Sequence, residues 1–145
     1  MRILAIDHGD RRIGLAISDP LGIAAHGLPT LETDGQGGAI EAIGELVDEK
    51  DVERVVVGLP INMDGSEGPR SRKARGFAKK LRSCVDVPVE LVDERLSSAE
   101  AHRALSHEGV SMRERGERVD RMAAQVILRR YMRARKVKEE SGEEK

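Results

Sequence analysis

The run RVVVGLP, residues 54 to 60, restricts the fold more than any other stretch of the chain. Beyond its arginine it is apolar throughout and opens with three β-branched valines, the make-up of a strand buried on both faces between helices. Such a strand belongs to a layered α/β structure, and its flanks agree. Within residues 39 to 50, Ala39, Ile43, Leu46 and Val47 share one face at helical spacing, with Glu41, Glu45 and Asp48 outside. Downstream, Pro69 suits a helix first turn, and Ala74, Phe77, Ala78 and Leu81 form a single apolar stripe. VPVELVDE, residues 87 to 94, supplies a further strand.

The N-terminal third has a different rhythm. RILAID (2 to 7) and RIGLAIS (12 to 18) are short apolar runs joined by HGDR, a turn sequence carried by Gly9 and Asp10, which together read as a hairpin. GIAAHGLPTL, from Gly22 to Leu31, adds a third antiparallel strand, with Gly27 and Pro29 marking an edge or a bulge. A Gly-rich linker, DGQGG, leads into the first helix. Near the other end, Ser97 with Glu100 forms a capping box for a short helix to about Leu105. SHEGVSMRERG (106 to 116) has no period and two glycines and reads as a mobile loop, and Val119, Met122, Ala123, Val126, Ile127 and Ala134 mark a long closing helix.

The expected fold is therefore α/β: a five-stranded mixed sheet, three antiparallel strands followed by two parallel additions, with helices on both faces. Sites in such sheets form where the central strands end. Asp7 ends the first strand, and Gly58 to Asn62 end the fourth, its expected neighbour. Residues 1–135 read as one domain and 136–145 as a charged, disordered tail.

Composition narrows the function. A chain of 145 residues suits one domain with a real core. Its one cysteine, Cys84, closes no intrachain disulfide, MRILAID lacks a signal-peptide layout, and no apolar run reaches membrane-span length. These features predict a soluble cytoplasmic protein with no membrane partner. Phe77 and Tyr131 are the only aromatics, so nucleic-acid binding would rest on phosphates and not on stacked bases. Lys plus Arg number 25 against 26 Asp plus Glu, yet seven basic residues fall between Arg70 and Arg82 with no acid among them. Seven more lie between Arg121 and Lys138, again without an acid. Either cluster fits a phosphate backbone or a solvated face.

Three carboxylate positions stand at element ends: Asp7, the pair Asp93 and Glu94, and Asp120. Singly, each reads as a cap or a helix-dipole partner. Together they are the hard oxygen donors that Mg²⁺ takes in nucleases. The four histidines are scattered without a zinc spacing.

In four stretches the residues resemble a known family: D-H-G-x-x-R-I-G-L-A-x-S-D from Asp7, V-G-L-P-I-N-M-D-G-S-E-G-P from Val57, V-D-E-R-L-S-S from Val92, and V-D-R-M-A-A-x-x-I-L from Val119. The chain is similar to the YqgF-type proteins, Holliday-junction-resolvase-like nucleases of RNase H-like fold that are also described as pre-16S rRNA nucleases. The resemblance implies Mg²⁺- or Mn²⁺-dependent hydrolysis of phosphodiester bonds, in 5′-end processing of precursor 16S rRNA or in resolution of branched DNA. Asp7 matches the first-strand aspartate of RNase H-like nucleases and Asp120 that of their last helix. Resolvases carry another acid at the end of strand four, where this chain has GLPIN. V-D-E-R is the natural supplier of the missing ligand. Strand alternation sends Asp93 and Glu94 to opposite faces, and the longer Glu94 has the reach from an outer strand. The implied metal set is Asp7, Glu94 and Asp120, with Asp93 orienting Arg95 or capping the loop, and Glu117 solvated.

Arg12 and Arg95 flank these carboxylates, to grip phosphates or to pair with Asp10, Asp19 or Asp93. Asn62, with Gly58, Gly65 and Gly68, makes a loop suited to phosphate or a nucleotide sugar, or a plain connector. Arg72 and Lys73, with Lys79 and Lys80, offer a sequence-blind backbone grip. The rival reading is a catalytically weak nucleic-acid-binding or regulatory module of the same fold. A sugar or acetate kinase would need a second domain. A junction resolvase would present two sites on a homodimer.

Overall fold

The computed structural model describes residues 1–9, 11–32, 36–93 and 112–141. β1 (Ile3–His8) and β2 (Arg12–Ser18) form the expected hairpin. The Gly9 amide donates to the Arg12 carbonyl at 3.0 Å. A Cβ on Gly9 would stand 2.5 Å from that oxygen, so the tight closure requires glycine. β3 (Ala25–Glu32) pairs with β2 on the outside. Between Ile13 and Leu15 of β2 the partner steps from Leu31 to Leu28, one residue more. The extra residue lies at Pro29 and Thr30, opposite Gly14, so the suspected bulge is present and Pro29 occupies an edge strand that asks no amide of it.

α1 (Gln36–Glu49), β4 (Arg54–Leu59), α2 (Pro69–Arg82), β5 (Val89–Asp93) and α3 (Met112–Ser141) follow. The strand order is β3-β2-β1-β4-β5, with β1, β4 and β5 parallel and β2 and β3 antiparallel to their neighbours. This is the mixed five-stranded sheet the pattern predicted.

Each face has its own core. On one, Leu4, Ile6, Ile13, Leu15, Val55 and Val57 meet Ile40 and Ile43 of α1 and Phe77 and Leu81 of α2. On the other, Ile3, Ala5, Ala16 and Val56 meet Ala124, Ile127 and Leu128 of α3. The alternation Leu4, Ile6 against Ile3, Ala5 is the two-residue pleat of a strand with both sides covered.

Several boundaries differ from those read in the sequence. α1 begins at Gln36, inside the Gly-rich linker. Residues 112 to 116, expected in a loop, are helical and open α3. Met, Arg and Glu are strong helix formers and outweigh the single Gly116. α3 continues through Ser141, past the boundary drawn at 135. Ala134, counted with the apolar stripe, is exposed, and Tyr131 and Met132 reach the sheet instead. The short helix expected from Ser97 lies outside the described residues. No helix is long and apolar enough to cross a membrane among the described residues.

Candidate active site

Asp7 is the fifth residue of β1 and only 6% exposed, a carboxylate held inside the sheet where the central strands end. Ile3 and Ala5 of the same strand belong to the α3-side core, and the pleat puts Asp7 on that face with them. Its partner on β2 is Gly14. On the other side, the β1 to β4 register ends at Ile6 beside Val57, and one further step brings Gly58 alongside Asp7. Gly58 is in turn paired with Val92 of β5. The row across the α3 face thus reads Gly14, Asp7, Gly58, Val92, and the carboxylate has a glycine on either side. Both glycines are buried. Neither glycine adds a side chain beside the Asp7 carboxylate on this row. Gly58 therefore lies within β4, as the run RVVVGLP predicts, and apart from the loop of Asn62, Gly65 and Gly68 with which it was also grouped.

α3 closes over this face through small residues. Ala123 and Ala124 are fully buried. At the sheet edge a Cβ on Gly27 would stand 2.5 Å from Cγ and Cδ of Arg121, so the arginine stem lies directly on the β3 backbone. The Gln125 amide donates to the Ala25 carbonyl at 3.3 Å. Further along, Arg54 at the start of β4 donates to the Tyr131 hydroxyl at 2.7 Å. The Gln125 and Tyr131 contacts both lie at the end of the sheet where β1 begins, and Arg121, on Gly27, lies further along toward the Asp7 end. Asp120 occupies α3 one turn before Ala124, and its side chain is outside the described set. The Nε of its neighbour Arg121 is buried and has no hydrogen-bond partner among the described residues.

Asp93 is the last residue of β5 and exposed, paired in register with Leu59. It shares its face with Val89 and Leu91, which belong to the α1 and α2 core. The pleat therefore puts Asp93 on the face opposite Asp7. Glu94, Arg95 and their loop lie outside the described residues. Among the described residues, no three His, Cys, Asp or Glu side chains come together as a metal cluster.

Beyond β4, the chain from Pro60 to Gly68 is a built hairpin and not a slack connector. Ile61 and Glu67 bridge, the Asn62 amide donates to the Ser66 carbonyl at 2.9 Å, and the Gly65 amide donates to the Asn62 carbonyl at 2.8 Å. Gly65 takes φ +89, a conformation that favours glycine. The Asn62 side chain is engaged by Ser66 Oγ at 3.0 Å. Ser66 donates to Asp64 through both its hydroxyl, at 2.6 Å, and its amide, at 2.9 Å, which holds the Asp64 carboxyl below its ordinary pKa. Arg75 clamps Glu67 with Nε at 2.7 Å and a second nitrogen at 2.8 Å and lowers the glutamate likewise. Ser71 Oγ donates to the Pro60 carbonyl and ties the hairpin base to α2.

Arg72 and Lys73 lie exposed in the first turns of α2, where β4 finishes, at the same end of the sheet as Asp7. Arg82 is spent on the Val89 carbonyl at 3.1 Å, and Arg75 on Glu67, so the basic run divides into structural and surface members. Arg12 opens β2 at the Asp7 end, half-buried and opposite Glu32 in register. Asp19 lies just past the other end of β2, roughly 20 Å away at strand rise, which removes it as a partner for Arg12. The Asp19 carboxylate instead accepts the Ile23 and Ala24 amides at 3.1 and 2.8 Å, which lowers its pKa. His8, next to Asp7 but on the other face, packs its ring on Phe77 with centroids 4.6 Å apart.

The sequence reading missed Gly14. A glycine inside an apolar strand is a weak signal by itself, and only its register opposite Asp7 gives it a role.

Comparison with known proteins places this site in context. A protein from Halothermothrix orenii named "Putative pre-16S rRNA nuclease" is 46% identical over 132 residues, 91% of this chain and 94% of the relative. A relative of the same name from Anaeromyxobacter dehalogenans strain 2CP-C is 48% identical over 132 residues, 91% of this chain and 96% of the relative. Among solved structures, Thermus thermophilus RuvC in complex with a Holliday junction substrate aligns with TM-score 0.58 at 20% identity, covering 93% of this chain and 96% of that one. The fowlpox virus resolvase with Holliday junction DNA aligns with TM-score 0.53 at 12% identity, covering 92% and 98%. At these identities the two resolvases establish the shared fold, that of RNase H-like proteins. A family model described as RuvX, Holliday junction resolvase, matches residues 1–134, and the chain belongs to that family.

Proposed function

We propose that the protein is a divalent-metal-dependent nuclease that hydrolyses phosphodiester bonds, with precursor 16S rRNA as its first substrate and branched DNA as the second. The observation that carries this reading is the buried Asp7 between two glycines at the ends of the central strands, on the face that α3 closes. The order of substrates follows from identity: the relatives at 46 and 48% carry the rRNA name, whereas the junction complexes stand at 20 and 12%.

The donor set fits Mg²⁺ or Mn²⁺, which take carboxylate oxygens. Asp7, Asp120 and Glu94 are the residues that would hold the ion. From Ala5 to Asp7 the strand advances about 6.7 Å; from Ala124 back to Asp120 the helix advances about 6 Å. That Ala5 and Ala124 share one apolar cluster supports assigning Asp7 and Asp120 to one site. When bound, such an ion supplies Lewis acidity toward a phosphoryl oxygen. β4 contributes Gly58 and Leu59 at its end and no carboxylate, so the third ligand is assigned to Glu94, which follows Asp93 in the sequence. Arg72, Lys73, Arg12, Arg95 and Asn62 are the residues assigned to the nucleic-acid backbone, and Asp93 acts by orienting its neighbours.

The test is to incubate the purified protein and Mn²⁺ with a labelled rRNA precursor and a labelled four-way junction side by side. Cleavage of the rRNA precursor at its 5′ side, lost on chelation, is expected. Cleavage of the junction alone would reverse the order of substrates and call for a homodimer. Cleavage of neither would favour the non-catalytic module.

A further inference from the structure

A second surface lies at the end of the sheet remote from Asp7. The start of β1, the turn from Asp19 to Ala24 and the C-terminal half of α3 enclose a cleft of about 760 Å³. Its apolar lining includes Leu21 and Ile23, which are 79% and 75% exposed, and Met1, 42% exposed. Apolar side chains standing together in solvent mark an interaction site more often than chance.

The turn that presents them is held rigid. Asp19 binds the Ile23 and Ala24 amides through its two carboxylate oxygens, the Gly22 amide donates to the Asp19 carbonyl at 2.9 Å, and the Asp19 amide donates to the Ala24 carbonyl at 3.2 Å. Gly22 supplies φ +71, and the Met1 amino group donates to the Pro20 carbonyl at 3.0 Å. Leu21 and Ile23 are thus displayed on a fixed frame, which lowers the entropy cost of binding.

The opposite wall is basic. Arg129, Met132, Arg133 and Lys136 recur at i, i+3, i+4 and i+7 and form one face of α3 along the cleft. Arg135 also lines it, 6.0 Å over the Tyr131 ring. No acidic side chain lines the cleft among the described residues.

We propose that this cleft docks an acidic amphipathic segment of a partner protein, with an apolar anchor against Leu21, Ile23 and Met132 and carboxylates facing Arg129, Arg133 and Lys136. Charge complementarity selects this occupant. A second copy meeting the same face by two-fold symmetry would set the basic row of one α3 against that of the other. A nucleic-acid backbone would use the arginines for its phosphates but would leave the exposed Leu21 and Ile23 without an apolar partner.

Panning a random-peptide phage library against the full-length protein, then measuring the enriched peptides by fluorescence anisotropy, tests this directly. The consensus is expected to combine aliphatic or aromatic anchors with Asp or Glu. Its affinity should fall about tenfold or more in the double variant Leu21→Ser/Ile23→Ser and again in Arg133→Glu, and should weaken with salt. All three positions are exposed, so the variants should keep the wild-type circular dichroism. A consensus without acids, or one whose binding ignores both variants, overturns the proposal. Loss of binding to a single-stranded RNA oligomer in Leu21→Ser/Ile23→Ser would instead assign the cleft to nucleic acid, and dissociation of a wild-type dimer by the same change would assign it to a second copy.

Discussion

The two faces of the sheet are built from different residues for different ends. Toward α1 and α2 the strands present Leu4, Ile6, Ile13, Leu15, Val55 and Val57, large side chains that meet Ile43, Phe77 and Leu81 in a filled core. Toward α3 they present Ile3 and Val56 near the strand beginnings but Ala5, Ala16, Gly14 and Gly58 further along, and the helix replies with Ile127 and Leu128 and then with Ala124 and Ala123. Burying the large side chains of the first face removes apolar area from water and stabilises the fold. Small residues on the second let a helix lie close to the sheet, and the two glycines beside Asp7 add no side chain of their own. The bulge at Pro29 and Thr30, opposite Gly14, falls on the same row and bends the edge strand next to the site.

If the faces divide labour in this way, substitutions on them should part company. The largest effect is expected from Asp7→Asn and Asp120→Asn, which should each abolish cleavage of the rRNA precursor while thermal unfolding stays near wild type. Cleavage retained by either purified variant would break the assignment of the α3 face to chemistry. Next, Ile6→Ala on the first face should lose about 2–5 kcal/mol in urea unfolding, the range for truncating a buried aliphatic, and keep its turnover per folded molecule. Ala5→Leu, one residue away on the second face, should lose only about 1–3 kcal/mol by overpacking. It should nevertheless lose most of its activity, because it lifts α3 from the sheet. Equal activity in the two variants would show that the faces are not specialised. The smallest effect is reserved for Asp93→Asn, which should leave cleavage within a few-fold of wild type, whereas Glu94→Gln should remove it. The reverse order would move the site across the sheet.

Most of the architecture was open to reading in the sequence. RVVVGLP declared a two-sided strand, and the stripes on α1 and α2 declared which side of each helix is buried. Gly9 announced a turn that closes only on glycine. The choice of face was not legible. RILAID is buried on both sides, so no polar alternation remains to say that Asp7 points with Ile3 and Ala5 and not with Leu4 and Ile6. The row Gly14, Asp7, Gly58, Val92 is likewise a property of register among four strands far apart in sequence. The start of α3 was hidden by charge: residues 112 to 116 carry no apolar period, and helix propensity alone had to be weighed against Gly116. Arg12 and Asp19, near in sequence, are held at opposite ends of β2 by strand rise.

The division between the faces is tested most directly by Mn²⁺ titration of the purified protein, followed by calorimetry, with Asp7→Asn and Asp93→Asn in parallel and no nucleic acid present. Saturable binding by wild type, lost in Asp7→Asn and kept in Asp93→Asn, is the expected result. Absence of binding in the wild type, or equal binding by wild type and Asp7→Asn, would contradict a metal site on the α3 face.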